Sequence, residues 1–353
     1  MQPIDVLREL SDGFGVSGFE DEVRETIRGL VSPLVDEVRT DALGNLFAIR
    51  RAANRADERT LMLDAHTDEV GFIVKWIDEG GYLRFAPIGG WDERIVPGHR
   101  VEILTREGTK LHGVIGTAPP HIVPPEERKK PIPMESLFVD VGATSKDEAA
   151  EMGLRIGDPF TIHYPFAELR NGTVTGKAFD DRAGCTVLIE TARRLAERPL
   201  GMNVAFSFVF GEELGLRGAR TAAYQLEPDL AIAIEGTIGA DMPGVSPENQ
   251  PVRLGLGPAI SVADRSIVVS RRIVAALETV AENAGIPYQY KLPTYGGTDA
   301  GAIHLTRGGV LAGVISVPCR YIHSPISTLR LGDLENTIRL TTALVDALPE
   351  AVF

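Results

Sequence analysis

Cysteine is nearly missing from this chain of 353 residues: only Cys185 and Cys319 occur, both in apolar surroundings. A disulfide framework is therefore not expected, and the two thiols read as small reduced core residues. Long apolar runs are missing too. None reaches the roughly 18 to 20 residues that a membrane-spanning helix needs, so no membrane segment is expected. The opening stretch Met1-Gln2-Pro3-Ile4-Asp5-Val6 has no basic region followed by an apolar one. No secretory leader is expected, and the cytoplasm follows as the compartment. Basic charge is in deficit, with 36 Lys and Arg against 49 Asp and Glu and a net charge of −13. That balance argues against a nucleic-acid partner, which needs clustered cations. The surplus acid either keeps the protein dissolved or neutralises bound cations, and composition alone does not choose.

What is present is an ordinary globular composition, 44% hydrophobic and 24% charged, in a chain long enough for two domains. Residues 3–32 have helical spacing in two segments. Strand-like stretches follow at 36–39, 46–50 and 60–65. From about Gly71 to His163 the texture changes to Gly, Pro and β-branched residues, with short strands expected at 101–104, 113–115 and 137–141. A Pro-rich loop runs from Thr117 to Lys130. After Asn171 helices and strands alternate: a helix from Asp181 to Leu200, buried strands at 203–210 and 230–234, a helix from Ser266 to Ala284 with Ser266 as its cap, a strand at 310–316, and a last helix from Leu334 to Leu348 with Asp333 as N-cap. The expected architecture is an α/β catalytic domain, residues 1–70 and 164–353, interrupted by a mostly β domain, residues 71–163.

Open α/β sheets place ligands at the C-terminal ends of their strands. Five segments put polar residues there. In Asp64-Ala65-His66-Thr67-Asp68-Glu69-Val70-Gly71, His66 and Asp68 share a face of an extended segment, and Asp68 is placed to hold the second ring nitrogen of a ligating His66. A hydrogen-bonded structural histidine has the same local pattern. In Lys177-Ala178-Phe179-Asp180-Asp181-Arg182, two carboxylates stand where a loop enters a helix; they are either helix caps or, for Asp180, a bridge between two metals. Gly211-Glu212-Glu213-Leu214-Gly215 follows the apolar strand directly. Two glutamates there repel each other unless cations intervene, and metal-assisted hydrolysis uses such a pair as one ligand and one base. Glu235 follows the apolar run 230–234, and His323 lies in Arg320-Tyr321-Ile322-His323-Ser324-Pro325. Each segment has a structural explanation by itself. Together, two histidines, three carboxylates and a spare glutamate suit two divalent ions that share one aspartate.

These segments, in this order and with Gly296-Gly297-Thr298-Asp299-Ala300-Gly301 between the last two, resemble the tetrahedral aminopeptidases, family forty-two of the metallopeptidases, also called deblocking or glutamyl aminopeptidases. The resemblance spans nearly the whole chain and includes Pro87-Ile88-Gly89-Gly90-Trp91-Asp92 and the Pro-rich loop. It implies a three-layer α/β/α zinc-exopeptidase-like domain with a mixed sheet and a PDZ-like inserted β domain. It implies that His66 and Glu235 hold one metal and Glu213 and His323 the other, with Asp180 as bridge, Glu212 as general base and Asp68 orienting His66. A cis peptide bond between Asp180 and Asp181 is also implied, as are two divalent ions per subunit, zinc or cobalt with manganese as a further option. The implied partners are peptides with a free N-terminus and further copies of the chain, as dimers assembling into a dodecamer. Many members carry Asp where this chain has Glu235, whose reach is one methylene longer. Gly297, Thr298 and Asp299 are candidates for the substrate pocket, or else a tight turn before a helix. His99, His112, His121, His163 and His304 receive no metal role.

Two rival readings use much the same residues. A dinuclear deacylase or carboxypeptidase would bind a substrate carboxylate with a basic group. A metal-stabilised assembly protein would have no use for Glu212 as base. A glycosidase needs two carboxylates but leaves His66 and His323 without a purpose.

Overall fold

The computed structural model describes residues 1–54 and 59–352, with side chains through residue 347. Its centre is an eleven-stranded mixed sheet. The strands Asn203–Val209, Thr60–His66 and Leu230–Ile238 are apolar along almost their whole length, as strands covered on both faces must be. They lie parallel and adjacent, and Leu311–Arg320 continues the parallel set. Leu46–Arg50 and Glu37–Thr40 extend one side in antiparallel fashion; Ser327–Arg330, Thr173–Gly176 and Ala167–Glu168 extend the other. Ala259–Ser261 branches from Leu311–Arg320 and carries Gln289–Lys291 at its free side. Helices cover this sheet. Phe179–Leu195 packs on Leu230–Ile238 and Thr60–His66 and meets Pro3–Asp12, Asp21–Val31 and Leu331–Val352, while Arg217–Leu226 packs on Asn203–Val209 and Thr60–His66 with the short helix Ala300–Ile303.

Parallel alignment does the positioning. Val209 pairs with His66, and Ala233 with Asp64, so this register brings Glu212, just past one strand's end, and His66, at the end of the next, to one edge beside Glu235 of the third. The strand expected to stop at Ile234 continues to Ile238, so Glu235 sits inside it, opposite Ser316.

Residues 71–162 close on themselves as a barrel of strands Gly71–Ile77, Leu83–Ile88, Phe138–Asp140, Lys110–Gly116, Arg100–Leu104 and Pro159–Ile162. It has its own apolar core, in which Phe72 stacks on Phe160 and Trp91 with ring centroids 5.0 and 4.7 Å apart. The Pro-rich stretch from Thr117 forms no strand and is largely exposed. Both cysteines are buried and free.

Two helix starts differ from expectation. The helix near Ser266 begins at Arg271, because Asp264 captures the Ser266 and Ile267 amides and the Ser266 hydroxyl in a turn of its own. The last helix begins at Leu331, and Asp333 is not its cap: its carboxylate instead accepts hydrogen bonds from the Gly255 and Gly257 amides.

The barrel and the sheet meet at Glu69. One of its carboxylate oxygens accepts from Lys177 Nζ at 2.7 Å and from the Gly15 amide at 3.2 Å, with Arg182 Nη2 at 3.5 Å. The other accepts from Thr161 Oγ1, a barrel residue, at 3.0 Å. Glu69, Lys177 and Arg182 are all buried. Removing one charge from such a set leaves the others uncompensated, which costs about 3–5 kcal/mol. Glu69→Gln is thus expected to lower the unfolding free energy measured by urea titration by an amount near the lower end of that range; an unchanged midpoint would contradict this role.

Candidate metal centre

His66 ends a buried strand, and its ring orientation is set by Asp68. Nδ1 lies 3.2 Å from both the Asp68 carbonyl and Asp68 Oδ1, which are acceptors, so Nδ1 carries the proton and Nε2 presents its lone pair. Asp68 is itself held by Ser17 Oγ at 2.6 Å and by the amides of Glu212 and Glu213 at 3.0 and 3.1 Å. One buried carboxylate therefore fixes both the histidine and the turn that bears the glutamate pair. Asp181 adds a second restraint, accepting from the His66 and Gly184 amides. That leaves Asp180 free to aim at the centre, and the Asp180–Asp181 peptide bond is cis. Gly236 allows this approach, since a Cβ there would lie 2.9 Å from Asp180 Cα.

Asp180 faces two ways. Its Oδ1 lies 3.4 Å from His66 Nε2, and its Oδ2 lies 3.8 Å from His323 Nε2. Glu235 stands 3.9 Å from His66 Nε2, Glu212 stands 4.0 Å from it, and Glu213 stands 3.4 Å from His323 Nε2. His323 Nδ1 donates to the Gly90 carbonyl at 3.1 Å, which again leaves Nε2 free. These separations are too long for good hydrogen bonds. The two of 3.4 Å, Asp180 to His66 and Glu213 to His323, match donors sharing one ion, because ligands at about 2.0–2.1 Å in a tetrahedral shell lie about 3.4 Å apart; the others are wider, at 3.8–4.0 Å. Two groups of three result, His66 with Asp180 and Glu235, and Asp180 with Glu213 and His323; Asp180 belongs to both. His66, Glu212 and Glu213 also converge.

Charge gives a second test of fit. Burial pushes Glu212 up to about 8, with the like charges of Glu213 and Asp180 adding to the effect. Burial likewise drives Glu213 and Glu235 well above the carboxylate range, again with Asp180 contributing. Asp68 moves the other way: burial opposes ionisation, but His66, Ser17 and the Glu212 amide hold it down. Two unit charges 4 Å apart repel by about 4 kcal/mol even at an effective dielectric of 20. The acidic cluster therefore demands protons or cations, and its donor set of imidazole and carboxylate suits divalent metals.

Gly297 and Thr298 line the cavity that opens on these groups. Asp299 is buried; its amide donates to Glu235 Oε1 at 3.1 Å, and burial with the charges of Asp64, Glu212 and Glu235 raises its pKa. The sequence gives Ser17 and the Gly90 carbonyl no part in the site, and offers Asp181 only as a helix cap or as one side of the cis bond, whereas the structure sets it on the His66 and Gly184 amides. Gly90 reaches His323 across 233 positions of chain, and no local pattern signals that. Elsewhere, His112 and His163 converge with Glu102 on the barrel, where Lys110 already neutralises Glu102 at 3.1 Å.

The electrostatics predict how the metal-free protein responds to pH. Glu212, Glu213 and Glu235 hold protons when folded that they release when unfolded, where a glutamate titrates near about 4.3. The folded state binds more protons between that value and about 8, so stability falls as pH rises through this window. Added divalent ions relieve the repulsion. The rise in Tm on returning zinc to chelator-stripped protein is expected to grow between about pH 5 and pH 8; a gain that shrinks over that range would contradict it.

Comparison with known proteins agrees with this geometry. A putative aminopeptidase of Acetivibrio thermocellus is 38% identical over 346 residues, covering 98% of each chain. A TET aminopeptidase from the marine sediment archaeon Thaumarchaeota archaeon SCGC AB-539-E09 superposes with a TM-score of 0.94 at 41% identity, over 98% of this chain and 96% of that one. The TET1 peptidase of Pyrococcus horikoshii, described as able to assemble into a tetrahedron or a large octahedral shell, gives a TM-score of 0.87 at 35% identity, over 98% and 99% of the two chains. Residues 44–340 match the family described as M42 glutamyl aminopeptidase, and to that family of metallopeptidases this chain belongs.

Proposed function

We propose that this aminopeptidase removes the first residue from peptides with a free α-amino group, with two divalent ions at the shared Asp180 and Glu212 as general base. The observation that carries the reading is the two-way approach of Asp180, one oxygen toward His66 and the other toward His323. His66, Asp180 and Glu235 would hold one ion, and Asp180, Glu213 and His323 the other. Zinc or cobalt suits these donors, and manganese is also compatible. When bound, such ions supply Lewis acidity, which eases loss of a proton from water and polarises the scissile carbonyl.

The protein's own groups then move the proton and hold the geometry. Glu212 stands beside the cluster without being needed in either three-ligand group. Its carboxylate takes the proton of the attacking water and hands it to the leaving amine. Asp68 acts through other residues, keeping the His66 proton on Nδ1 and clamping the Glu212 and Glu213 amides. Asp299 acts likewise through its amide on Glu235. Gly297 and Thr298 border the bound substrate.

The barrel, taken as a separate PDZ-like domain over residues 71–163, would build the oligomer, first dimers and then a tetrahedral dodecamer. The likeness to the Pyrococcus horikoshii shell-forming peptidase supports this reading, as does the exposed Pro-rich loop with Ile122 at its surface. Among the described residues no helix is long and apolar enough to cross a membrane, which is compatible with action in the cytoplasm.

The test is hydrolysis of amino-acid p-nitroanilides, each with a free and an acetylated N-terminus, after metal removal and refilling. Activity is expected only on free N-termini and only with metal restored. Glu212→Gln should keep its metal content while kcat falls by about 10²–10⁴-fold. Cleavage of the acetylated substrates would instead favour a deacylase.

A further inference from the structure

The barrel brings metal-ligating side chains together a second time, away from the reacting groups. Strand Arg100–Leu104 turns Val101 and Ile103 into the barrel core and Glu102 to the outer face. Both neighbours of that strand bring a histidine to the same face. On strand Lys110–Gly116, His112 pairs directly with Glu102. On the other side Thr161 pairs with Glu102, and His163 follows two positions later, its amide donating to the Arg100 carbonyl at 2.9 Å. Glu102, His112 and His163 therefore converge on the outside of three adjacent strands. Read as sequence, neither histidine has a metal role, because only the pairing of these strands sets them beside Glu102.

The ligand atoms are available. His112 Nδ1 lies 3.4 Å from the Val101 carbonyl, an acceptor, so the proton belongs there and Nε2 presents its lone pair. The His163 ring stands edge-on to that of His112, with centroids 5.0 Å apart. Its Nδ1 lies 3.9 Å from Glu102 Oε2, too far for a hydrogen bond. Burial, with the charges of Arg100 and His112, holds the His163 pKa below its usual value against Glu102 and Asp12, so the ring is neutral at neutral pH. The Glu102 and His163 side chains are largely covered, and His112 is open to solvent. Three protein ligands with one open side make a site that water can complete.

Lys110 is the rival for Glu102. Its Nζ lies 3.1 Å from Glu102 Oε1 and 2.8 Å from Glu22 Oε2. It uses one oxygen of Glu102, while His163 faces the other. Lysine and a metal ion can thus share this carboxylate, at the cost of repulsion between the two cations. At Asp180 the balance is the reverse, since ions there relieve repulsion among buried carboxylates. The barrel site is the weaker of the two.

We infer that Glu102, His112 and His163 form a further binding site for a divalent transition-metal ion, zinc, nickel or copper, filled only at metal concentrations above those that load the centre at Asp180. Imidazole with carboxylate suits such ions, whereas calcium and magnesium take oxygen ligands. The inference does not depend on the aminopeptidase reading. Its position gives a bound ion a consequence. His163 follows the last barrel strand, Pro159–Ile162, and opens the connection back to the sheet. An ion held by His163 and two other strands fastens that connection and stabilises the barrel.

The experiment counts bound zinc by equilibrium dialysis and elemental analysis over rising free zinc, in the wild type, the double variant His112→Ala/His163→Ala, and Lys110→Gln. At low zinc the wild type and the double variant should bind equally. At higher zinc the wild type should take up one ion more, with a further rise in Tm that the double variant lacks. Lys110→Gln should bind this ion about tenfold more tightly, because a neighbouring cation is gone. Circular dichroism reports whether each variant is folded. Equal counts in the wild type and the folded double variant at every zinc concentration overturn the inference. So does an extra ion whose affinity is unchanged or weaker in Lys110→Gln. The readout is a difference between proteins with the same Asp180 centre, so it holds whatever number of ions that centre takes.

Discussion

The structure is organised around one electrostatic problem, the packing of Asp180, Glu212, Glu213 and Glu235 into one buried edge of a parallel sheet. In water these carboxylates would repel each other weakly. Behind apolar strands they repel strongly, and burial raises the proton affinity of three of them far above normal. Two histidines with free Nε2 atoms complete the donor set. The arrangement makes sense as a socket for cations. Ser17, through Asp68, and the Gly90 carbonyl keep the two histidines oriented toward that socket.

The fold supplies the convergence at low cost in local specialisation. Three parallel strands in register bring Glu212, His66 and Glu235 together: His66 ends one strand, Glu212 follows the end of its neighbour, and Glu235 lies within the third. Asp68 then couples two of those strands, holding His66 Nδ1 on one side and the Glu212 and Glu213 amides on the other. Glu69, the next residue, faces away and ties the barrel to the N-terminal loop and the Lys177–Arg182 segment. Two adjacent acids in one motif therefore serve different purposes, one for the site and one for the junction between the two cores.

Much of this was legible in the sequence, for a physical reason. A polar residue that follows an unbroken apolar run has few structural uses, so His66, Glu212, Glu213 and Glu235 stand out by position alone. The change of texture at Gly71 anticipates the closed barrel, since β-branched residues and turns replace helical spacing there. What could not be read depends on contacts distant in sequence. Asp333 looks like a helix cap because its partners, the Gly255 and Gly257 amides, lie more than seventy positions away. Ser266 looks like a cap until Asp264 claims its amide. The sequence left Asp180 open between a helix cap and a bridge; in the structure its two oxygens face different histidines.

The central claim is that two cations, joined at Asp180, neutralise this cluster. Its most direct test is equilibrium dialysis against zinc with elemental analysis of the wild type, His323→Ala and Asp180→Ala. The account predicts two ions per chain in the wild type, one in His323→Ala, and losses at both positions in Asp180→Ala. Saturation of the wild type at one ion, or two ions retained in His323→Ala, would contradict it.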